Sequence, residues 1–573
     1  MRKIIGYLKG FYGRMTIGFV IKTIATLAEL MLPYILSHIL KDIINSDLKD
    51  ILFWGILMII FSAIAGIFNI IANRMAAFVS KNFAENMRKD LFDKTLRLSA
   101  AQTDKFTIPS LESRITTDTY NVHGFINMIQ RMGVRAPIML AGGIAITLFM
   151  DMHLSLVMIA VLPLIFVTVY FIRRMGVPLY TKVQQSVDGM IRVVREDAQG
   201  IRVIKALSKI DYEHHRYEKV NKALVKEEIK AGVIMGSVHP IMTFFMNMGS
   251  VAVIAIGAAR ISNSLSEPET IIAFMQYFTQ ISMALMAVTR MFVMYTKSSA
   301  SAKRIAEVLS AEEDITLKAK TEYPDISTDS HILFDNVTFS YNGKRNNIEN
   351  ISFSIKKGGS VGIIGATGSG KSTVIKLLLR FYDADMGAIY INGEDIRTIE
   401  KERFYEYFGS ALQQDFLYAD TIEENIRFGR DIPFSDIKKV AKIAQADNFI
   451  TAFADGYSHQ LSPHGTNISG GQKQRILISR AIAAKPDILI LDDSSSALDY
   501  KTDAALRCAL KENLQDTTVI TVAQRVSSVK DCDVILVLDD GKIIGSGTHD
   551  MLLEKCEEYR EISNSQMGGA IVE

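Results

Sequence analysis

The stretch GATGSGKST, residues 365–373, carries the densest chemistry in the chain. It fits the pattern G-x-x-x-x-G-K-[ST] and lies between a β-branched run, SVGII, and a helix-forming run, STVIKLLLRFYD. That context suits phosphate binding. Gly365, Gly368 and Gly370 let backbone amides wrap an anion, with Thr367, Ser369 and Thr373 in the same wrap, and the helix N-terminus adds its dipole. Lys371 is spaced to reach the β and γ phosphates of a nucleoside triphosphate, and Ser372 to ligate Mg²⁺. A chance Gly-rich turn is the bland alternative, and the flanking strand and helix patterns argue against it.

Two further stretches could act on the same ligand. ILILDDSSSALD, residues 488–499, reads as a buried strand that ends in adjacent carboxylates. Asp492 then falls at the carboxyl end of a sheet strand, the place for a Mg²⁺ partner, and Asp493 follows it. NISGGQKQR, residues 467–475, is a small-residue turn opening a helix. It offers Ser469, the Gly470 and Gly471 amides and Gln472 to an anion.

These groups need a scaffold, and the chain from residue 331 supplies one. Short β-branched runs alternate there with helical stretches, which predicts an α/β domain over 331–573. Ahead of it, 306–330 reads as a polar linker with Pro324, Ser327 and Ser330. Residues 1–305 differ in kind. Six apolar runs at 15–40, 51–79, 125–150, 154–172, 233–261 and 271–295 approach or exceed the ~20 residues a transmembrane helix needs. The fold class expected is therefore multidomain: an all-α six-helix transmembrane domain followed by an α/β P-loop domain. Connections after the second and fourth runs are long, basic and helical in period. By the positive-inside rule these loops and both termini are cytoplasmic, and the helices extend beyond the bilayer. The first residues, MRKIIGYLKGF, read as an uncleaved interfacial helix.

Composition narrows the function. The 573 residues are 49% hydrophobic with a net charge of +2, which supports a membrane part and removes nucleic acid as a partner. Cys508, Cys532 and Cys556 have neither disulfide-framework nor zinc spacing and read as reduced cytosolic thiols. Ionisable residues inside the apolar runs, Lys22, Glu29, Arg135, His239 and Arg290, are candidates for contact with cargo, set against snorkelling or pairing within the bundle. Met235, Met242, Met246, Met248, Met275, Met283, Met286, Met291 and Met294 suit a permissive cavity, although each alone is more simply packing filler.

With phosphate loop, strand-terminal aspartate and ISGGQ in one domain behind six spans, the chain resembles an ATP-binding cassette (ABC) protein, specifically an exporter-type half-transporter. The resemblance implies ATP and Mg²⁺ as ligands, the latter on Ser372, Asp492 and Gln413. Tyr341 in VTFSYNG matches the aromatic that stacks on adenine. Gln413 in LQQDFLY matches the glutamine linking Mg²⁺ and the attacking water to the membrane loops, with Gln414 as the alternative register. Residues 468–472 match the signature with Ile468 for the usual Leu, and SALD, 496–499, matches a loop that contacts the opposite subunit. SLESRITTDTYNV and GIRVIKALSKIDYE resemble the two coupling segments.

Two positions depart from the family pattern. Asp493 stands where a catalytic glutamate is usual, and Gln524, in TVAQRVSS, where a switch histidine is usual. A carboxylate retracted by about 1 Å can cost about 10²-fold in rate, and a glutamine amide cannot exchange a proton near neutral pH. Cassettes of this family clasp each ATP between one subunit's phosphate loop and the other's signature. The resemblance therefore implies a heterodimer whose second half-transporter completes hydrolysis, exporting drug-like, lipid or peptide amphiphiles across a bacterial cytoplasmic membrane. The alternatives are a homodimer with slow Asp-based hydrolysis, or an ATP-sensing subunit that holds nucleotide.

Overall fold

The computed structural model describes residues 2–45, 48–263, 267–312, 314–413 and 416–567. It divides into two compact units, one made of Met1–Arg97 and Thr107–Ala311, the other of Leu98–Phe106 and Glu312–Glu573.

The first unit is helical. Its elements are α1 (Tyr12–Asn45), α2 (Leu48–Leu96), α4 (Thr119–Met150), α5 (Met152–Ala206), α6 (Ile210–Gly236), α7 (Val238–Ser262) and α8 (Pro268–Leu309); α3 (Ala100–Phe106) belongs to the other unit. The 49 residues of α2 span roughly 74 Å at 1.5 Å per residue, over twice the ~30 Å hydrocarbon core. Its outer face explains its solvent. Leu52, Phe53, Ile56, Ile59, Ile67 and Ile70 are all more than half exposed, whereas Ala65, Ala72 and Ala76 are buried. Large apolar groups outward and small ones inward is the packing of a helix whose surroundings are lipid.

Among the described residues, five helices are long and apolar enough to cross a membrane, and Met152–Thr168 of α5 is a shorter apolar stretch. The tight corner before it is capped: Asp151 Oδ1 accepts from the backbone amides of His153 (2.9 Å) and Leu154 (3.3 Å). At the amino terminus Ile4 and Leu8 are buried against protein rather than offered to a lipid face, and Tyr7 Oη donates to Asp90 at 2.7 Å.

The first coupling stretch expected, residues 110–122, packs inside the helical unit. Asp118 is buried and ion-paired to Arg304, and Asn121 Nδ2 donates to Ser301 Oγ at 3.1 Å, which ties a π-helical turn to α8. The segment that sits with the other unit lies earlier, at α3. Tyr382 Oη donates to Asp104 Oδ2 at 2.6 Å, and Gln102 Nε2 to the Glu312 carbonyl at 2.5 Å. No periodicity distinguishes these neighbouring short helices, so tertiary contact alone assigns them. The second stretch, 200–213, forms the turn between α5 and α6 within the helical unit.

The second unit is α/β. An antiparallel sheet runs in the order β2 (Ile348–Ile355), β1 (Ile332–Phe339), β4 (Met386–Ile391), β5 (Glu394–Asp395). A six-stranded sheet runs β10 (Lys542–Gly547), β9 (Val534–Asp539), β3 (Ser360–Gly365), β8 (Thr518–Val522), β7 (Ile488–Asp492), β6 (Phe408–Ala411). All its pairings are parallel except β10 against β9. The strand β7 is buried at every position, as its unbroken apolar run requires when both faces are covered. Helices α9 (Lys371–Leu378), α10 (Gly470–Ala483) and α11 (Tyr500–Asn513) follow the loops that carry the chemistry.

Candidate functional site

Four adjacent parallel strands end on one side of the sheet, and each delivers a site residue there. β3 leads into the phosphate loop, β8 into Gln524, β7 ends at Asp492 with Asp493 next, and β6 leads to Gln413. This is the crevice at strand carboxyl ends where α/β sheets bind ligands. A cavity of about 320 Å³ opens there, lined by Thr367, Gly368, Gly370, Lys371, Ser372, Thr373, Gln413, Asp492, Asp493 and Gln524, together with Asn347.

The loop is shaped by its glycines. Gly370 has φ +100, and a Cβ there would meet Asn347 O at 3.0 Å and Ile348 Cγ2 at 2.9 Å. Gly368, at φ +88, faces open space. Lys371 Nζ folds back onto the carbonyls of Gly365 (2.8 Å) and Ala366 (2.7 Å), contacts that an arriving phosphate would replace. Among the described residues Ser369 Oγ is buried without a partner, a donor left over for an anion. Tyr341 flanks the loop, half-exposed, its hydroxyl 3.4 Å from Thr373 Oγ1 and its ring packed edge-on to Tyr382. The loop therefore fits a nucleotide phosphate chain.

Burial dominates the site's electrostatics. It raises the Asp492 carboxyl above the usual range, with Asp493 beside it adding to the effect and a hydrogen bond from Ser372 opposing it. The Asp493 carboxyl is raised too, again by burial first, against hydrogen bonding from Gln413 and the charge of Lys371. Lys371 is lowered by burial, which the two aspartates counteract. Ser372, Asp492 and Gln413 are the residues that would hold Mg²⁺, whose charge would offset that of the phosphates.

Asp493 itself is pinned. Its Oδ2 accepts from Gln524 Nε2 at 3.2 Å and from Gln413 Nε2 at 3.4 Å, so two amides converge on one carboxylate oxygen. The residue has φ +52, a left-handed conformation that aspartate tolerates better than longer side chains. Gln414 lies outside the described residues.

Ser469, Gly470, Gly471 and Gln472 stand apart from this cavity. Ser469 caps α10: its Oγ accepts from Gln472 N at 3.2 Å while Gln472 Oε1 accepts from Ser469 N at 2.9 Å. A Cβ on Gly471 would lie 2.9 Å from Ala497 O, so the turn packs on the loop 496–499 of its own chain. Arg525 braces that loop through the carbonyls of Leu498 (3.2 Å) and Ser496 (3.4 Å). Sequence reasoning missed Arg525 and Asn347. Arg525 follows Gln524 in TVAQRVSS and Asn347 precedes β2, but residue order gives neither a partner, and only the fold brings them in. In the helical unit Glu29 pairs with Arg135, Lys22 is buried and Arg290 is exposed. The side chain of His239 lies outside those described. Met242 is buried core with Met246 and Met286 against it, whereas Met248, Met275 and Met283 are exposed.

Residues 15–285 match the family described as ABC transporter transmembrane region, and residues 348–496 match the family described as ABC transporter. A Bacillus subtilis relative, the uncharacterized ABC transporter ATP-binding protein YfiB, is 34% identical over 576 residues, covering 99% of each chain. The chain belongs to the ABC transporter family. An uncharacterized ABC transporter ATP-binding protein of Mycobacterium tuberculosis is 32% identical over 558 residues, 96% of each chain. This transporter also shares its fold with a bacterial Atm1-family ABC exporter solved with ATP bound, at TM-score 0.80 and 22% identity, over 97% of this chain and 98% of that one. It is thus built as an ABC half-transporter, one membrane region fused to one ABC domain, in the fold of that solved exporter.

Proposed function

We propose that this half-transporter works in a heterodimeric exporter of amphipathic compounds, in which its own Walker site binds ATP and hydrolyses it poorly. The observation that carries this reading is the clamp on Asp493. A general base must reach the attacking water in the right position, yet here a carboxylate one methylene short is held back by two neutral amides on its Oδ2. Neither Gln413 nor Gln524 can take up the proton in its place. The binding parts are complete, since loop, lysine and carboxylate line one cavity. The signature turn Ser469–Gln472 is fully formed and lies away from that cavity, which supports its service to the nucleotide of a second subunit. A partner with an intact Glu and His would then hold the hydrolytic site. Closure on ATP would move α3, which is seated in the nucleotide-binding unit through Asp104 and Gln102, and the long helices would carry that motion into a bacterial cytoplasmic membrane.

ATPase measurement on the purified chain, alone and co-purified with its native partner, tests the reading. Alone, the chain should bind ATP and show little turnover, and the assembly should show turnover that rises with amphiphile. Full turnover by the chain alone, abolished by Asp493→Asn, would overturn it.

A further inference from the structure

The helical unit holds a charged cluster that nucleotide chemistry does not use. Lys22 on α1 is buried at 3% exposure, and its ammonium donates to Asn69 Oδ1 at 2.6 Å and Asn73 Oδ1 at 3.2 Å, both on α2. Arg131 on α4 donates through Nε to the same Asn73 oxygen at 3.2 Å. Two cations thus converge on one neutral amide. One turn further along α4, Arg135 Nη2 meets Glu29 Oε1 at 2.5 Å. Among the described residues that is the cluster's one ion pair; neither Lys22 nor Arg131 forms one.

Depth makes this surplus costly. Counted from the amino-terminal ends of the apolar runs at 15 and 125, Lys22 and Arg131 lie about 10 Å inside and Arg135 about 15 Å, at 1.5 Å per residue. Such cations are expensive in hydrocarbon and mark pathways for polar or charged cargo. A purely structural latch would match each cation with a carboxylate, or replace the set by apolar packing at no loss. Here three cations face one carboxylate. Accessibility is graded as well: Arg131 is exposed, the Arg135 side chain is 34% exposed, and Lys22 sits behind them. Gly124, Arg131 and Arg135, spaced by seven and four, share one stripe of α4. The methyl of Met294 on α8 comes within 3.1 Å of where a Gly124 Cβ would stand, so flexible apolar surface lies on that stripe about 10 Å from Arg131 at 1.5 Å per residue.

We propose that Lys22, Arg131 and Arg135 receive the anionic head group, a phosphate, sulfonate or carboxylate, of the amphiphile this transporter moves. The inference rests on the exporter reading and names its substrate class. An anionic head completes the charge balance that the protein leaves open, while its apolar tail lies along the methionine surface. A cationic amphiphile of equal length meets repulsion at the same place.

The test uses the transporter purified with its native partner in phosphatidylcholine nanodiscs. Dodecyl phosphate and dodecyltrimethylammonium serve as probes, with affinity and ATPase stimulation as readouts. Dodecyl phosphate should bind about tenfold tighter, weakening with salt. Arg131→Gln should remove that preference, and Arg131→Lys should retain it. Doping the disc with phosphatidylglycerol separates the sources: competition assigns the site to lipid head groups, and none assigns it to free amphiphiles, either outcome supporting an anion site. Equal affinity for the two probes would overturn the proposal, as would a preference that survives Arg131→Gln and Lys22→Met while only the melting temperature falls. If no amphiphile stimulates ATP turnover, the exporter reading fails, and the binding comparison still decides whether an anion site exists.

Discussion

Lengthening Asp493 by one methylene should restore most of what this site lacks. In the structure its Oδ2 lies 3.2 Å from the Gln524 amide and 3.4 Å from the Gln413 amide, so the carboxylate ends inside a clamp. A glutamate would carry the oxygens about 1 Å further toward the phosphate loop. A misplacement of that size is associated with about 10²-fold in rate, equivalent to about 2.7 kcal/mol of barrier at ~1.36 kcal/mol per decade. The backbone works in the opposite direction. At φ +52 a glutamate gives up part of the left-handed tolerance of aspartate, at a cost of about 1 kcal/mol in stability. Asp493→Glu should therefore raise turnover and slightly lower the melting temperature, a pairing that a generally better-folded variant would not show. The assay is single-turnover release of phosphate from bound ATP, in the assembly with its native partner whose own phosphate-loop lysine has been changed to alanine. The expected gain is about 10²-fold with ATP affinity kept within about twofold, and Gln524→His should add to it. If Asp493→Glu binds ATP normally yet leaves the rate within about twofold of wild type, carboxylate position is not the limiting defect and the argument from the clamp is wrong.

Arg480 is buried and donates to Asn425 O (2.8 Å), Phe416 O (2.8 Å) and Asn425 Oδ1 (2.9 Å). Arg480→Met removes these three buried charge-assisted bonds and should cost about 2–4 kcal/mol, read by denaturant unfolding of the full chain. His331 is buried, its Nδ1 2.6 Å from Thr518 Oγ1, and burial holds its pKa below the ordinary 6.5. The unfolded chain therefore takes up a proton first as pH falls through about 6.5, so stability drops from there toward the folded value. The melting temperature should be lower at pH about 5.5 than at about 7.5, and His331→Gln should shrink that difference. Cys508 is exposed, whereas burial, aided by Asp533 and Asp531, pushes the Cys532 thiol up to about 12. Brief maleimide treatment followed by peptide mass analysis should find Cys508 labelled in the folded protein and Cys532 only after unfolding.

Much of this architecture is local and therefore readable from residue order. A phosphate loop is a contiguous backbone device: glycine positions, a lysine and a hydroxyl within nine residues determine its shape, so residues 365–373 could be named before any fold was known. The apolar runs are legible for a similar reason, because a lipid solvent demands uninterrupted hydrophobic length. Asp493 and Gln524 could be marked as departures in residue type, one by one. Their joint consequence could not, since they lie 31 residues apart and meet only because β7 and β8 end side by side. The same holds for α3, where neighbouring short helices look alike in sequence and their partners tell them apart. Lys22, Arg131 and Arg135 were separate charges along two apolar runs until helix packing set them around the Asn73 side chain and Glu29. Composition and spacing determined that this chain grips a nucleotide and enters a membrane. Which groups face one another across those elements was decided by tertiary packing, because convergence of distant side chains depends on strand order and helix rotation, and neither is encoded in any single segment.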